Sequence, residues 1–220
     1  MRRVLFIGAH FDDIEVGCGG TLLKHLIAGD KAFLFITRPD EYRTGPPDIR
    51  EEEQNKAIYY MRQFGDVSRV VSPPLMESNT MSKNYYDDIF STLVKDLDEL
   101  KPDIVFTHWK NDTHQHHREA YKLGLSIGRS PQVFTFFYNS GSCCGFIPNC
   151  FSRINMTLKE TLIGYYQTQQ DHINLDVMKT ENRYFASFIT NDSDFAEGFI
   201  SNKMLYHIVR SYKMWDVAYD

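Results

Sequence analysis

The sequence predicts an α/β protein, with a mostly parallel sheet and helices on both of its faces. Three observations predict it. Short, nearly all-apolar runs such as RVLFIG at residues 3–8 and IVFT at 104–107 read as strands buried on both sides. Longer stretches with apolar residues at helical spacing lie between such runs, so the two patterns alternate. The composition, 42% hydrophobic and 24% charged, is that of an ordinary globular domain.

The elements follow in order. After the first strand, residues 21–28 (TLLKHLIA) read as a helix, with the glycine-rich stretch before them as a tight turn. Residues 31–37 form the second strand. Polar, proline-rich residues 38–47 read as a loop, and 49–64 as a helix stopped at Gly65. A short strand at 67–71 is closed by Pro73 and Pro74. Residues 85–100 carry Ile89, Leu93, Val94, Leu97 and Leu100 on one helical face, and Lys101-Pro102-Asp103 ends the helix. The strand at 104–107 is followed by a helix at 117–129 and a strand at 132–138. Beyond Tyr138 the pattern turns irregular, with a loop at 143–148 and helices at 156–170 and 177–189.

A chain of 220 residues reads as one domain, 1–220, and can bury a full core without a metal or disulfide staple. Any reason to expect a metal is therefore chemical. The net charge of −5 argues against a broad basic surface for nucleic acid. No apolar run has the length of a membrane span. The apolar run after Met1-Arg2-Arg3 stops at Ala9, too short for a secretory signal. Cys18, Cys143, Cys144 and Cys150 form no CxxC pair, which excludes a cysteine-based zinc knuckle and suits free thiols in a reducing cytosol. A cytoplasmic location is the expectation. The oligomeric state is not readable.

Two polar clusters stand out. The first, AHFDDIEVGCGGT at residues 9–21, follows the first strand directly. Imidazole and carboxylate are good zinc ligands, and two adjacent carboxylates on a turn point apart. One can hold a metal while the other serves as general base. The second, THWKNDTHQHHR at 107–118, follows the strand at 104–107. His114 and His117, three apart at a helix start, share a face. One can be a third zinc ligand and the other can stand near a developing oxyanion. Both clusters fall beyond carboxyl ends of strands, where open α/β sheets bind ligands. Three protein ligands plus a water make a catalytic zinc site, in which bound water is acidified to about pKa 7 and a carbonyl is polarised. The first cluster does not suit a dinucleotide, since two acids stand where a pyrophosphate would lie. His108 reads as an orienting or packing residue, and His25 and His172 as ordinary surface or packing histidines.

At these residues the chain resembles the PIG-L/LmbE-like zinc-dependent de-N-acetylases. AHFDDIEVGCGGTL is similar to their AHPDDxExGCGG signature, and HWKNDTHQHHREA to HxxNDxHPDHRxA. Arg50 and Glu53 match an R-x-x-E helix, and Ala196-Glu197-Gly198-Phe199 a late AExF segment. The resemblance implies a Rossmann-like fold and hydrolysis of N-acetyl groups, often on N-acetylglucosamine units. It implies His10, Asp13 and His117 as zinc ligands, Asp12 as general base and then acid, and His114 as oxyanion stabiliser. The donor set also accommodates iron(II) and other first-row divalent metals. The implied partner is a small amino-sugar substrate. Arg50 and Asp112 are candidate substrate contacts, with an Arg50–Glu53 ion pair as the alternative for Arg50. Tyr42, Trp109, Phe137 and Tyr138 are candidates to stack on a sugar face.

Two departures from the signatures matter. Phe11 replaces proline between His10 and Asp12. Gln115-His116 replaces Pro-Asp, and that Asp can partner the oxyanion histidine in the family. His116 brings no negative charge, and Asp112 is the expected substitute partner for His114. Two rival readings remain: a non-catalytic carbohydrate- or metal-binding member of the same fold, and a hydrolase of a non-sugar amide. Metal analysis combined with acetate release from N-acetylglucosamine conjugates discriminates them.

Overall fold

The structure, a computed structural model, describes residues 1–39, 47–71, 83–189 and 194–201. Tyr42 and the Pro73-Pro74 step lie outside the described residues. The expected alternation is present: β1 (Arg3–Gly8), α1 (Asp13–Ile27), β2 (Lys31–Ile36), α2 (Pro47–Met61), β3 (Val67–Val70), α3 (Lys83–Asp98), β4 (Ile104–His108), α4 (Gln115–Ile127) and β5 (Phe134–Tyr138). Then come β6 (Cys150–Ile154), α5 (Met156–Ile163), a 3-10 turn (Gln167–Gln169), α6 (Leu175–Ala186) and β7 (Phe195–Ser201).

The seven strands are ordered β3-β2-β1-β4-β5-β7-β6. The first five run parallel, in register Val4↔Ala32 and Val4↔Ile104 across the centre. The central strands are buried on both faces because alternate residues feed two separate cores. Val4, Phe6, Leu34 and Phe106 pack with Leu22 and Leu26 of α1, Ile58 and Met61 of α2, and Leu162 of α5. Leu5, Ile7, Phe33, Phe35 and Val105 pack with Leu93 and Leu97 of α3 and Ala120, Leu123 and Ile127 of α4.

Two expectations are corrected. The glycine-rich stretch is not a turn before α1 but lies inside it, around a break at Cys18 (φ −149°, ψ 21°). Its glycines serve close approach: a methyl at Gly17 would overlap the Tyr138 ring, and one at Gly20 would lie 2.7 Å from Ile154. The part after Tyr138 holds, besides the two expected helices, two strands the pattern did not announce: β6 and β7 pair antiparallel from Cys150↔Phe199 to Ile154↔Phe195 and β7 joins the sheet at β5.

The order of strands reverses between β1 and β4. The chain runs outward from β1 to β2 and β3, then crosses back to β4 on the other side. The crevice at that switch point is where such a sheet accepts a ligand. The turn after β1 and the segment after β4 both open onto it.

Candidate functional site

The turn from β1 into α1 sets the site. Asp12 adopts the left-handed region at φ 98°, a conformation that costs a non-glycine residue of order 1–3 kcal/mol and concentrates at functional sites. The turn sends the two adjacent carboxylates different ways. Asp13 folds back over β1, where its Oδ2 accepts from the Ala9 N–H at 3.0 Å and the His10 N–H at 2.7 Å. Asp12 stays beside a cavity, with Oδ1 3.6 Å from Arg50 Nη2.

From the other side, α4 delivers the second cluster. His114 is its N-cap, with Nδ1 accepting the His116 N–H at 3.3 Å. His117, one turn in, points Nε2 at the first cluster. His10 Nδ1, Asp13 and His117 Nε2 form a triangle: His10–Asp13 is 3.4 Å, His117–Asp13 3.3 Å and His117–His10 3.4 Å, with the two imidazoles meeting different oxygens of Asp13. Ligand atoms 2.0–2.1 Å from a tetrahedral zinc lie roughly 3.3–3.4 Å apart. His10 and His117 are spaced as two ligands of such an ion would be, with Asp13 Oδ1 3.3 Å from His117. Among the described residues the donors fall into two groups that could hold a cation: His10, His114 and His117, and Asp13, His108 and His117. His114 closes the group, its ring centroid 4.8 Å from that of His10 and 4.7 Å from that of His117.

The surroundings hold these side chains in place. His117 Nδ1 lies 2.9 Å from Asp112 Oδ2, and the other Asp112 oxygen accepts from the His114 N–H at 2.8 Å and the Ser142 hydroxyl at 2.7 Å. Asp112 is 3% exposed, so it is not placed to contact a substrate. Nor does it meet the His114 ring; it meets the His117 ring instead. Both expectations for Asp112 are corrected by the same fact, that its oxygens are taken up inside the protein. His108, fully buried, sets Nε2 3.2 Å from Asp13 Oδ2 and accepts the Ala9 N–H there at 3.1 Å. His10 Nε2 faces His116 Nδ1 at 3.0 Å.

The electrostatics separate the two carboxylates. Burial and the neighbouring Asp13 raise Asp12 well above the ordinary carboxylate range, against the pull of Arg50 and His10. Burial would raise Asp13 too, but the charges of His117 and His108 and bonds from His10 and His108 outweigh it and hold Asp13 well below. Burial holds His108 down at about 4, with His117 adding to the effect. One carboxylate is thus fixed as an anion and its neighbour is prone to take a proton, which is the division of labour a metal ligand and a general base require.

Arg50 is buried. Its Nη2 donates to the Phe11 carbonyl at 3.0 Å, bracing the turn that carries Asp12. Glu53 instead accepts from the Thr168 N–H and hydroxyl at 2.8 and 2.7 Å. Phe137 and Tyr138 are wholly buried and cannot stack on a ligand, and Trp109 packs against Phe137 and Phe146. Sequence reasoning missed the cavity beside Asp12 and Asp13. It measures about 290 Å³ and its polar walls include Asn139, Ser140, His172, Glu181 and Asn182. His172, read as an ordinary histidine, lines it. The available signal was topological: residues 139–142 follow β5, at the same end of the sheet as the two clusters.

Fold and site together define a Rossmann-like α/β protein with a histidine–carboxylate centre at its switch point. The chain belongs to the PIG-L family, GlcNAc-PI de-N-acetylase, whose pattern matches residues 5–127. It is 26% identical over 155 residues to the uncharacterized deacetylase YaiS of Escherichia coli (strain K12), covering 70% of this chain and 82% of YaiS. Its fold is that of the conserved protein TT1542 from Thermus thermophilus (TM-score 0.75, 23% identity, 96% and 99% of the two chains). It is also that of the N,N'-diacetylchitobiose deacetylase from Pyrococcus horikoshii (TM-score 0.65, 19% identity, 96% and 88%).

Proposed function

We propose that this chain, as one domain spanning residues 1–220, is a metal-dependent amidohydrolase that removes an N-acetyl group from a small amino sugar or its conjugate. The observation that carries the reading is the 3.3–3.4 Å triangle of His10, Asp13 and His117 beside the separate Asp12 carboxylate. A divalent cation held there, zinc by donor type and spacing, would polarise the amide carbonyl and acidify water. Asp12 accepts a proton from the attacking water and returns it to the departing amine, so the products are acetate and a free amine. His114, whose ring lies beside those of His10 and His117, supplies the donor to the oxyanion of the tetrahedral intermediate in this reading. Arg50 holds the turn that presents Asp12. The cavity next to Asp12 has the size and the polar walls to admit one sugar ring.

Family membership supports de-N-acetylation as the reaction. Among the described residues no helix is long and apolar enough to cross a membrane. The test is Asp12→Ala, measured as acetate released from N-acetylglucosamine conjugates and as bound metal. We expect metal retained and turnover down by ~10²–10⁴-fold. An Asp12→Ala protein of undiminished turnover would overturn the assignment.

A further inference from the structure

Helix α6 turns one stripe inward. Met178, Glu181, Asn182 and Phe185 fall three and four residues apart and line the cavity beside Asp12 and Asp13. Met178, Asn182 and Phe185 are buried, so a stripe that packing alone would make apolar carries two polar residues at its centre. Asn182 is 4% exposed, and one end of its amide is taken. Its Oδ1 accepts from Lys159 Nζ at 3.3 Å. Lysine has only donors, which fixes the amide oxygen on that side and leaves Nδ2 without an acceptor among the described residues. Glu181 has one oxygen taken: Oε1 accepts from Asn139 Nδ2 at 3.1 Å. Asn139 is itself held, since its oxygen accepts from the Gly141 and Cys143 N–H groups. Among the described residues no cation forms an ion pair with Glu181, and Lys159 is paired with Glu197 at 2.7 Å. Burial raises the Glu181 carboxyl, opposed by the bond from Asn139 and the charge of Lys159.

We infer that Glu181 and Asn182 read the substrate, so that the cavity takes an uncharged, hydroxyl-bearing ring and turns away the same ring once it carries phosphate. This deepens the proposed function and rests on it. A polar group buried without a partner is costly, and a ligand that pairs it recovers the cost. The α6 wall leaves one acceptor and one donor on adjacent residues. Sugar hydroxyls satisfy both, because each can donate and accept: one donates to the free Glu181 oxygen, and the same or the next accepts from Asn182 Nδ2. A phosphate offers acceptors and negative charge. It can take the Asn182 donor, but it sets its charge against Glu181. The rest of the cavity does not compensate. Its walls include the carboxylates of Asp12 and Asp13, and among the described residues no lysine or arginine lines it. The N-terminus of α6 is also closed to an anion, since Asn174 caps it by accepting the Val177 N–H at 3.1 Å and Asp176 stands in its first turn.

The experiment compares N-acetylglucosamine with N-acetylglucosamine 6-phosphate on the zinc-loaded whole chain at pH 8, reading kcat and KM for acetate release. The wild type is expected to favour the uncharged sugar by ~10–100-fold in kcat/KM, with most of the difference in KM. Glu181→Gln keeps an oxygen for Asn139 and removes the charge. It is expected to raise KM for N-acetylglucosamine and to lower KM for the phosphate, narrowing the preference by about tenfold. A role confined to packing α6 would not move the two sugars in opposite directions. Asn182→Asp keeps the oxygen that holds Lys159 and replaces the donor with a second acceptor. It is expected to raise KM for both sugars and to widen the preference. An equal or reversed preference in the wild type, or a Glu181→Gln protein that shifts both sugars alike or neither, overturns the role of Glu181. An Asn182→Asp protein with wild-type KM for both overturns the role of Asn182. A wild type that releases acetate from neither sugar overturns the proposed function itself. Acetate release without preference leaves that function standing and overturns only the selection.

Discussion

Asp112 joins the second histidine cluster, but through a different ring from the one its spacing suggests. In sequence it lies two positions from His114 and five from His117, and spacing alone favours the nearer ring. The helix decides otherwise. His114 caps α4, so its backbone N–H, not its ring, faces Asp112, and His117 swings Nδ1 to within 2.9 Å of the carboxylate. Burial would raise Asp112, but the bond and charge of His117 and the Ser142 hydroxyl outweigh it and hold it far below the ordinary range. A carboxylate fixed on the outer nitrogen of a ligand histidine sharpens that ring's orientation and basicity. Asp112→Asn is accordingly expected to weaken zinc by ~10–100-fold. With zinc saturating, KM for an N-acetylated substrate should stay near the wild-type value. A large KM change at saturating zinc, with zinc affinity intact, would return Asp112 to the role of substrate contact.

At the scale of elements, the late strand β7 reaches back to complete the first helix. The break at Cys18 leaves the second half of α1 with its own unsatisfied N–H groups. Glu197 of β7 accepts from the Gly20 and Thr21 N–H groups at 2.9 and 2.7 Å, and its Oε1 lies 2.7 Å from Lys159 Nζ of α5. Both partners of that ion pair are 1% exposed. Removing one member of a buried pair strands the other charge, at a cost of about 3–5 kcal/mol. Glu197→Ala should lose stability of that order in urea unfolding. Glu197→Ala combined with Lys159→Met should recover part of it. If the double variant is no more stable than Glu197→Ala, the stranded lysine is not the cause. This contact also explains what sequence reading could reach. Strands β1, β2 and β4 were legible because burial on both faces leaves continuous apolar runs. Strand β7 was not, because FAEGFIS mixes a buried glutamate and a glycine into its seven residues. Glu197 belongs there only because of the break in α1, whose freed Gly20 N–H lies 177 residues earlier in the chain. The glycines of α1 misled in the same way: their purpose is contact with Tyr138 and Ile154, which no local pattern records.

For the whole molecule, the parallel sheet sets chemistry and stability at opposite ends. The candidate site gathers at the carboxyl ends of β1 and β4, and the grouping of His10, Asp13 and His117 was legible because both clusters directly follow strands in the sequence. Its supporting residues, Ser142 and the cavity wall on α6, come from segments joined only by the topology. At the amino ends, a second polar group ties the strands together. Asp30, just before β2, accepts from the Arg2 N–H at 2.8 Å and Nε at 3.0 Å, and lies 2.9 Å from His25 Nδ1. Arg3 N–H donates to Asp103, just before β4, at 2.7 Å. Burial would raise Asp30, but the bonds from Arg2 and His25 prevail and hold its carboxyl far below the usual value. Burial keeps His25 below its ordinary value, so near neutral pH its Nδ1–H donates to Asp30 without charge. A carboxylate depressed on folding contributes stability that is fully present above its unfolded value of about 3.9 and is lost as pH falls toward the folded value. The Arg2 side chain is half exposed, so the contribution is about 1–2 kcal/mol rather than the full linkage figure. Asp30→Asn should therefore be less stable than the wild type by that amount at pH 7, and the gap should narrow steadily between pH 4 and pH 2. Urea unfolding across that range measures it. A gap that is unchanged at pH 2 would show that Asp30 acts through packing and neutral hydrogen bonds, and that its charge has no part in joining β1 to β2.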